Sequence, residues 1–176
     1  MNAMRSANQQ SNLKESDPIA LAATVAERVE IRDVRLVRAS CFQSPGAGGI
    51  KKFMSDLVRR TESQIDESKK IIAIVAHFEF SAKDANIDSE SKLDLHVAAD
   101  FVLLYRINDL QGLTEPHFRQ FGDINGVYNA WPYWREYLHS TIARMGLQAP
   151  LLPVFRIASA ATADPSPAPA NYPIRI

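Results

Sequence analysis

The side chains best suited to chemistry in this sequence are two histidines and two carboxylates, His77, Glu79, Asp94 and His96, in two neighbouring apolar segments. Imidazole and carboxylate groups are common ligands of zinc and other transition metals. If the segments pair as antiparallel strands in the register given below, His77 lies opposite His96 and Glu79 opposite Asp94, on one face. Histidine neighbours on exposed strands are common by chance, however, and nothing fixes their rotamers. We therefore favour a solvated sheet face and expect neither a metal nor another cofactor.

Other signatures of catalysis are missing from the sequence. It contains no glycine-rich phosphate loop, no His-Glu helix motif and no nucleophile elbow. Its one cysteine, Cys41, lies in a predicted strand, where a thiol more often acts as a small buried hydrophobe than as a nucleophile. Twenty basic residues balance twenty acidic ones, which gives no indication of affinity for nucleic acids or membrane surfaces. We expect a protein that is not an enzyme and has no nucleic-acid partner.

The composition divides the 176 residues into three regions. Residues 1–16 are polar and predict a disordered arm, and residues 158–176 are rich in Ala, Pro and Ser and predict a flexible tail. Residues 17–157 are the size of a single domain. The N-terminus lacks the apolar core of a signal peptide, and no apolar run reaches the roughly 18 residues that cross a membrane. We expect a cytoplasmic protein without membrane insertion.

In two long segments, Ile71–Ser81 and Lys92–Ile107, every second residue is apolar and forms one face, which is the pattern of β-strands. The register that keeps both apolar faces on one side of the sheet pairs Phe80 with Leu93, Phe78 with Leu95 and Ile72 with Phe101. Two less regular strands are predicted at about 29–42 and 52–64, the first with a bulge near Arg32-Asp33. Together these segments predict a four-stranded antiparallel β-meander.

Helices are predicted on both sides of these strands. A short N-terminal helix should follow Asp17-Pro18, a capping residue followed by a proline in the first turn. A long C-terminal helix should begin near Asn125 or Asn129, and Pro132 favours the later start because proline suits a first turn. Gly122 and Gly126 should interrupt the helical structure before the long helix, and Gly146 should end the long helix. Packed on one face of the sheet, the long helix completes an α+β fold.

The start of the long helix is unusually rich in aromatic residues, and its apolar residues form two stripes. One stripe should pack on the sheet. The second needs another partner, which we expect to be a second subunit, although a site for apolar ligands would also account for it. The residues predicted at the subunit interface are Trp131, Tyr133, Trp134, Tyr137 and Leu138.

The crossover segment, Leu147–Phe155, follows the long helix and is apolar throughout much of its length. Its two prolines exclude a continuous helix. Loops are normally polar. An apolar loop therefore serves either as a lid over the sheet or as a binding surface, and the sequence leaves both interpretations open.

The motif Pro132-Tyr133-x-Arg135-Glu136, followed by Arg144 and the crossover segment, resembles the SecB-type export chaperones, and the resemblance extends over about residues 29–157. It implies a homotetramer built as a dimer of dimers, with the long helices at the interface. It also implies an ATP-independent holdase that binds non-native polypeptides in long apolar grooves. By the same resemblance, each groove is walled by the crossover segment, the second strand and nearby aromatic residues.

Departures from the SecB pattern bear on the client. The run Ile31–Leu36 looks more like the SecB-like chaperones that accompany toxin–antitoxin pairs, whose client is an aggregation-prone antitoxin. SecB chaperones usually carry a further C-terminal helix and tail that help to engage the export ATPase SecA, and here an Ala/Pro-rich segment follows Ile157 instead. The resemblance therefore implies unfolded preproteins or an antitoxin polypeptide as clients, with SecA as a further candidate partner.

Two sites follow from these predictions. The client site should join the crossover segment to the strands beneath it, through Phe42, Met54, Val58, Leu147, Leu151, Leu152 and Phe155. On the other face of the sheet, Glu79, Asp94 and Asp100 should form an acidic surface that meets a basic partner such as SecA's tail, with salt-dependent affinity. The alternative function is a small ligand-binding or enzymatic α+β domain with its site under the crossover segment. A purely structural oligomerisation module is a third.

Overall fold

The computed structural model describes residues 17–49, 53–84 and 94–157. The predicted arm at 1–16 and tail at 158–176 lie outside these residues. In chain order the elements are α1 (Pro18–Ala26), β1 (Val29–Gln43), a 3-10 turn (Ala47–Gly49), β2 (Phe53–Asp66), β3 (Ile71–Asp84), β4 (Leu95–Ile107), α2 (Glu115–Phe121), a π-helical turn (Gly122–Gly126) and α3 (Val127–Arg144). The predicted α+β class is confirmed: the chain forms a four-stranded antiparallel sheet, with a short helix before the strands in the sequence and a long helix after them. None of the helices in these ranges is long and apolar enough to cross a membrane.

The strands lie in the order β1-β4-β3-β2, so the predicted meander is wrong for one strand. β2, β3 and β4 follow one another as predicted, but β1 pairs with β4 instead of β2. β3 and β4 therefore form the centre of the sheet, and alternate residues of both are buried. β1 and β2 are edge strands, and their described side chains are all exposed or half-buried. Alternation with a period of two determines which face a residue takes but not which strand is its neighbour.

The register between β3 and β4 also differs from the prediction. Phe80 lies opposite Val97 instead of Leu93, Phe78 opposite Ala99, and Ile72 opposite Tyr105, a shift of four residues along β4. Because four is an even number, each apolar side chain stays on its predicted face although its partner changes. The predicted bulge in β1 is confirmed by a register shift between Ile31 and Asp33, and a second shift follows between Leu36 and Arg38.

The core lies on one face of the sheet, which we call the inner face, where large aromatic side chains from the helices fill it. Trp134 is fully buried and stacks on Phe78, with ring centroids 5.4 Å apart and an interplanar angle of 10°. Tyr105 packs edge-on against Phe121 at 5.0 Å and accepts a hydrogen bond of 2.9 Å from the Asn129 amide. Burial raises the pKa of Tyr105 to about 12, although this hydrogen bond acts in the opposite direction.

The helical layer runs without interruption from α2 through the π turn into α3, so the predicted breaks at Gly122 and Gly126 are wrong. These glycines serve close packing instead. A Cβ at Gly122 would lie 2.7 Å from the Ser63 hydroxyl, and one at Gly126 would lie 2.8 Å from a methyl group of Ile74. Both distances are shorter than van der Waals contact, so glycine allows the helical layer to approach the sheet.

The long helix α3 begins at Val127, earlier than the preferred start near Asn129. Pro132 is its sixth residue and lies inside the helix, where the missing N–H leaves one backbone carbonyl without its helical partner. The predicted end is confirmed, because Gly146 follows the helix with a φ of 76°.

β2 is held against β3 by a tight turn, residues 67–70, in which Lys70 has a φ of 54°. The carboxylate of Asp66, at the end of β2, accepts hydrogen bonds from the Ser68 hydroxyl at 2.6 Å and from the Lys69 backbone N–H at 3.0 Å. These hydrogen bonds, first that of Ser68, lower the pKa of Asp66 to about 2. From this turn β2 pairs with β3 along its whole length without a register shift.

Candidate functional site

The crossover segment contains neither helix nor strand, and its apolar residues are of two kinds. Leu147 and Leu152 are buried in the core and anchor the segment. Leu151 is 82% exposed and Val154 is 66% exposed, and Ile157, two residues beyond the segment, is also exposed. So many large exposed apolar side chains within a few residues are a feature of interaction sites. We call Leu151, Val154 and Ile157 the apolar ridge.

Contacts from α3 and β2 hold the crossover segment in place. The indole N–H of Trp131 donates a hydrogen bond of 2.9 Å to the Pro153 carbonyl. The Trp131 ring also packs against Phe155, with centroids 5.7 Å apart. On the other side of Phe155, the guanidinium of Arg59 in β2 lies 5.2 Å from the ring centroid, within the range of a cation–π interaction. The segment therefore bridges the long helix and the edge strand.

A hollow of about 360 Å³ separates the crossover segment from α3. Its lining combines apolar residues of the segment with polar residues of the helix: Pro132, Arg135, Glu136, His139, Ser140, Pro150, Leu151 and Leu152. Apolar surface with a few polar groups at its rim is typical of sites for peptides and small ligands. The hollow extends the apolar ridge towards the helix.

The predicted client site does not come together as one surface. Because β2 pairs Val58 with Glu79, and β1 pairs Phe42 with His96, both of these residues lie on the face opposite the core, which we call the outer face. Met54 alternates in phase with Val58 and lies there too. The crossover segment contacts the inner face instead, as the packing of Phe155 on Arg59 establishes. The prediction that Phe42, Met54 and Val58 lie beneath the crossover segment is therefore wrong.

Two of the four client-site residues predicted on the crossover segment are also inaccessible to a client. Leu147 and Leu152 are buried in the protein's own core. Leu151 is exposed and Phe155 is half-buried, and for these two a role in client binding stays a prediction. Val154 and Ile157, which were not predicted, complete the exposed set. Their apolar character in a proline-containing segment was the available signal.

The residues predicted at the subunit interface also fall into two groups, one buried in the core and one accessible. Trp131, Trp134 and Leu138 are buried in the core of the single chain, so their surface is unavailable to a second subunit, and the prediction is corrected for these three. Tyr133 is exposed and Tyr137 half-buried, and they remain predicted interface residues. Both line a second, more apolar hollow of about 420 Å³ between α3 and β1, together with Leu36, Phe101, Pro132 and Glu136.

The predicted acidic residues lie on the outer face, but they are engaged with neighbours in the chain. Asp100 is only 7% exposed, and its carboxylate accepts hydrogen bonds from Arg38 at 2.7 Å and from His77 at 2.5 Å. The other two carboxylates are half-buried: Glu79 lies 3.2 Å from His96, and Asp94 accepts a hydrogen bond of 2.9 Å from the Ser44 hydroxyl. Cationic and neutral donors therefore surround the predicted acidic surface.

The register also removes the pairing on which the alternative metal site rested. His77 lies opposite Asp100, and His96 lies opposite Ser81. Arg60 reaches the ring of His77 from β2, with 3.2 Å between Nη2 and Nε2, so this nitrogen faces a cationic donor. Among the described residues, no group of three or more His, Cys, Asp or Glu side chains has a geometry that could hold a metal ion.

Comparisons with known proteins place this architecture. A scan against protein-family models and a search of curated proteins find no match. The solved structures that match include the Mycobacterium tuberculosis SecB-like chaperone Rv1957, in complex with a ChAD peptide from the Rv1956 HigA1 antitoxin. The TM-score is 0.67 at 18% sequence identity, and the match covers 78% of this chain and 98% of that chain. The chain has a SecB-like fold.

A second solved structure, a protein of unknown function from Streptococcus agalactiae, matches with a TM-score of 0.40 and 13% identity over 71% of this chain and 96% of that chain. The resemblance expected from the Pro132-Tyr133-x-Arg135-Glu136 motif is thus confirmed as a resemblance of fold through the SecB-like chaperone. In the SecB-like fold of this chain, the motif lies on α3 between the two hollows.

Proposed function

We propose that this protein is a chaperone of the holdase type, which binds non-native polypeptides on the apolar ridge without nucleotide. The observation that carries the proposal is the ridge itself, in which Leu151 and Val154 are exposed although Leu152, between them, is buried. An apolar surface anchored in this way stays available when no client is bound. The complex of the SecB-like neighbour with an antitoxin peptide supports the same function.

The energy of binding constrains how much surface must take part. Micromolar affinity corresponds to about 8 kcal/mol. At roughly 25 cal/mol per Å², this requires about 300 Å² of apolar burial before any cost is counted. Ordering each client residue costs about 1–2 kcal/mol of backbone entropy in addition. The three side chains of the ridge cannot supply both the binding free energy and this ordering cost alone. The proposed client surface therefore includes the ridge, the adjacent hollow along α3 and the exposed part of Phe155.

An antitoxin segment is the favoured client, and a preprotein destined for export is the second candidate. Export would require docking to SecA on the acidic surface. Asp100, the central residue of that surface, is buried between Arg38 and His77, which leaves little negative charge for a basic partner. The peptide bound to the SecB-like neighbour comes from an antitoxin, which agrees with this preference.

The proposal is tested by the aggregation of two unrelated proteins diluted from denaturant, followed by light scattering without nucleotide. A holdase should suppress aggregation of both when it is present in equimolar amounts. Unchanged aggregation of both would refute the proposal and would favour a small ligand-binding domain with its site under the crossover segment. Adding ATP should make no difference to the suppression.

The proposed assembly is a homotetramer, a dimer of dimers. The surface proposed for subunit contact is the hollow between α3 and β1, where Tyr133 and Leu36 are exposed and Tyr137 is half-buried. Tyrosine contributes large apolar area at low entropic cost, which suits an interface.

Exchanging the two large hydrophobic residues that are exposed in this hollow, in the double variant Leu36→Asp and Tyr133→Asp, is expected to lower the mass from four subunits to one or two. A carboxylate without a partner is costly to bury in an apolar interface. Light scattering at micromolar concentration measures the mass. Tyr128→Asp is the matched control, since Tyr128 is as exposed as Tyr133 but lies outside the hollow. A double variant that stays tetrameric, or a monomeric natural protein, would contradict the assembly.

A further inference from the structure

Three arginines border the proposed client surface, each from a different part of the chain. The guanidinium of Arg59, in β2, lies 5.2 Å from the centroid of the Phe155 ring. Arg135, in α3, lines the hollow beside the crossover segment. Arg156 is exposed and lies in the sequence between Phe155 and Ile157 of the apolar ridge. Positive charge therefore accompanies the apolar side chains that a client would cover.

The position of Arg135 is determined by the residue one helical turn before it. Residues four apart in an α-helix lie on the same side, so Arg135 follows Trp131 along α3. Trp131 faces the crossover segment, because its indole N–H donates a hydrogen bond of 2.9 Å to the Pro153 carbonyl and its ring packs against Phe155. The side chain of Arg135 therefore lies on the face of α3 that borders the client surface.

The three arginines have no acidic partner within the protein. Among residues 17–49, 53–84 and 94–157, no carboxylate forms an ion pair with any of them. Ion pairs within the same ranges engage the arginines at 28, 32, 35, 38 and 119. The guanidinium groups beside the ridge thus remain available to a carboxylate from outside the chain.

One carboxylate lies close to this surface and does not balance the charge. Glu136 lines the hollow beside the crossover segment, but it also borders the second hollow, towards β1. Arg135 lines the first of these hollows and not the second. Although the whole chain has a formal net charge of zero, three guanidinium groups and one carboxylate give the client surface an excess of positive charge. A surface of one sign favours a partner of the opposite sign.

We propose that the preferred client segment carries acidic side chains next to its apolar ones. Its carboxylates would pair with Arg135 and Arg156, while its apolar side chains cover the apolar ridge. The planar guanidinium suits this pairing, since two of its N–H groups can bind one carboxylate together. This inference rests on the proposed chaperone function and specifies the chemical class of its client, an extended polypeptide that is both apolar and acidic.

The charge excess acts mainly on the choice between clients. Apolar burial contributes to binding for every client, whereas the arginines attract an acidic segment and repel a basic one. An exposed pair of opposite charges changes affinity by only about twofold to fivefold. Two such pairs therefore correspond to a preference of about tenfold for an acidic segment over a neutral one of the same shape.

The decisive experiment measures the affinities of four fluorescent twelve-residue peptides at low ionic strength. The first consists of leucine and serine with two glutamates. In the second and third, glutamine or lysine replaces the glutamates, and in the fourth, serine replaces the leucines of the acidic peptide. The acidic peptide should bind about tenfold more tightly than the neutral one, and the basic peptide most weakly of the three that contain leucine. Equal binding of the acidic and neutral peptides, or tighter binding of the basic one, would overturn the proposal.

The peptide without leucine separates an acidic apolar client from anions in general. It should bind at least a hundredfold more weakly than the acidic peptide with leucine, because it covers no part of the ridge. Equal binding of the two would mean that the arginines form a general anion site, and the proposed client class would be wrong.

Salt provides a second measurement on the same peptides. The Debye length falls from about 10 Å at 0.1 M to about 3 Å at 1 M ionic strength, so high salt screens exposed charge pairs and leaves apolar contacts in place. The preference for the acidic peptide over the neutral one should fall from about tenfold to within about twofold. A preference that persists at 1 M salt would not arise from the arginines and would contradict the proposal.

The failure of the proposed function gives a different result. If none of the peptides binds and unrelated unfolded proteins aggregate as before, the chaperone function itself is wrong. If the protein suppresses that aggregation but binds the acidic and neutral peptides equally, the function stands and the preference for acidic clients is wrong.

Charge reversal on the protein tests the named residues. In the double variant Arg135→Glu and Arg156→Glu, the order of the peptides should invert: the basic peptide should bind several-fold more tightly than the acidic one, and the neutral peptide should stay within about twofold of its affinity for the natural protein. An unspecific loss of structure would weaken all peptides together and could not invert their order. A variant that still prefers the acidic peptide, or that weakens all peptides equally, would overturn the proposal.

The matched control changes the net charge by the same amount elsewhere. Lys70 and Arg106 are exposed, and neither forms an ion pair among the described residues. Arg106 lies on the outer face, since the residues on either side of it in β4 are buried on the inner face. The double variant Lys70→Glu and Arg106→Glu should therefore keep the preference for the acidic peptide. Loss of that preference in the control would show that net charge alone sets it, and would overturn the assignment to Arg135 and Arg156.

Discussion

Replacing the apolar ridge with serine is expected to remove most of the chaperone activity and leave the fold intact. In the triple variant Leu151→Ser, Val154→Ser and Ile157→Ser, each exchange removes apolar surface that a client would cover. Half-covering one such side chain contributes about 1 kcal/mol, so the three together contribute about 3 kcal/mol, or a hundredfold in affinity. Exposed substitutions away from the core usually change stability by less than about 0.5 kcal/mol. Aggregation suppression and thermal unfolding measure the two effects on one sample.

The matched control lies one residue from the ridge. Leu152 is buried, so Leu152→Ser leaves a cavity and a hydroxyl in the core and should lower the unfolding free energy by about 2–5 kcal/mol. The contrast between two adjacent leucines separates binding from stability. Full aggregation suppression by the triple variant would mean that the client binds elsewhere. Unfolding of the triple variant would mean that the ridge is part of the core.

The sequence predicted the faces of the central strands but not their partners. In β3 and β4, every second residue is apolar for more than ten positions, and burial on one face explains that pattern. A slip of four residues preserves the same faces, so Phe80 could be assigned to the core but not to Val97. The placement of β1 beside β4 depends on the whole sheet, and no local pattern in β1 encodes it.

The candidate site was predictable as a segment but not residue by residue. The apolar, proline-containing stretch after α3 correctly indicated that the crossover segment was unusual. It has no periodicity, however, so nothing in the sequence distinguished the buried Leu152 from the exposed Leu151. The phase of β2 was also ambiguous, because Leu57 and Val58 are adjacent and both are apolar. Their pairing with Phe80 and Glu79 decides which of them faces the core.

The surface proposed for subunit contact and the surface proposed for client binding both border α3. The hollows towards β1 and towards the crossover segment share Pro132 and Glu136, so one exposed strip of the helix borders both. A subunit packed on the β1 side would leave the crossover side open. The proposed tetramer contact and the proposed client site therefore lie on neighbouring surfaces that meet at Pro132 and Glu136.

The largest effect on stability is expected at Trp134. Its side chain is fully buried, stacks on Phe78, and has a tilted contact with Tyr137 at 6.3 Å between centroids. Trp134→Asp would remove this packing, which alone costs about 3–5 kcal/mol for a large aromatic residue, and would bury a carboxylate without a partner. Domains of this size are stable by about 5–15 kcal/mol. The variant should therefore fail to fold, with loss of near-ultraviolet circular dichroism and of cooperative melting.

A conservative exchange at the same position separates packing from polarity. The indole N–H of Trp134 is buried and has no hydrogen-bond partner among the described residues. Trp134→Phe keeps an aromatic ring on Phe78 and removes this unsatisfied donor, so the relief of about 1 kcal/mol or more offsets part of the cavity it leaves. We expect a folded protein with a melting temperature lowered by only a few degrees. If Trp134→Asp instead gives folded monomers with native circular dichroism, Trp134 belongs to a subunit interface, as the sequence first indicated, and its assignment to the core is wrong.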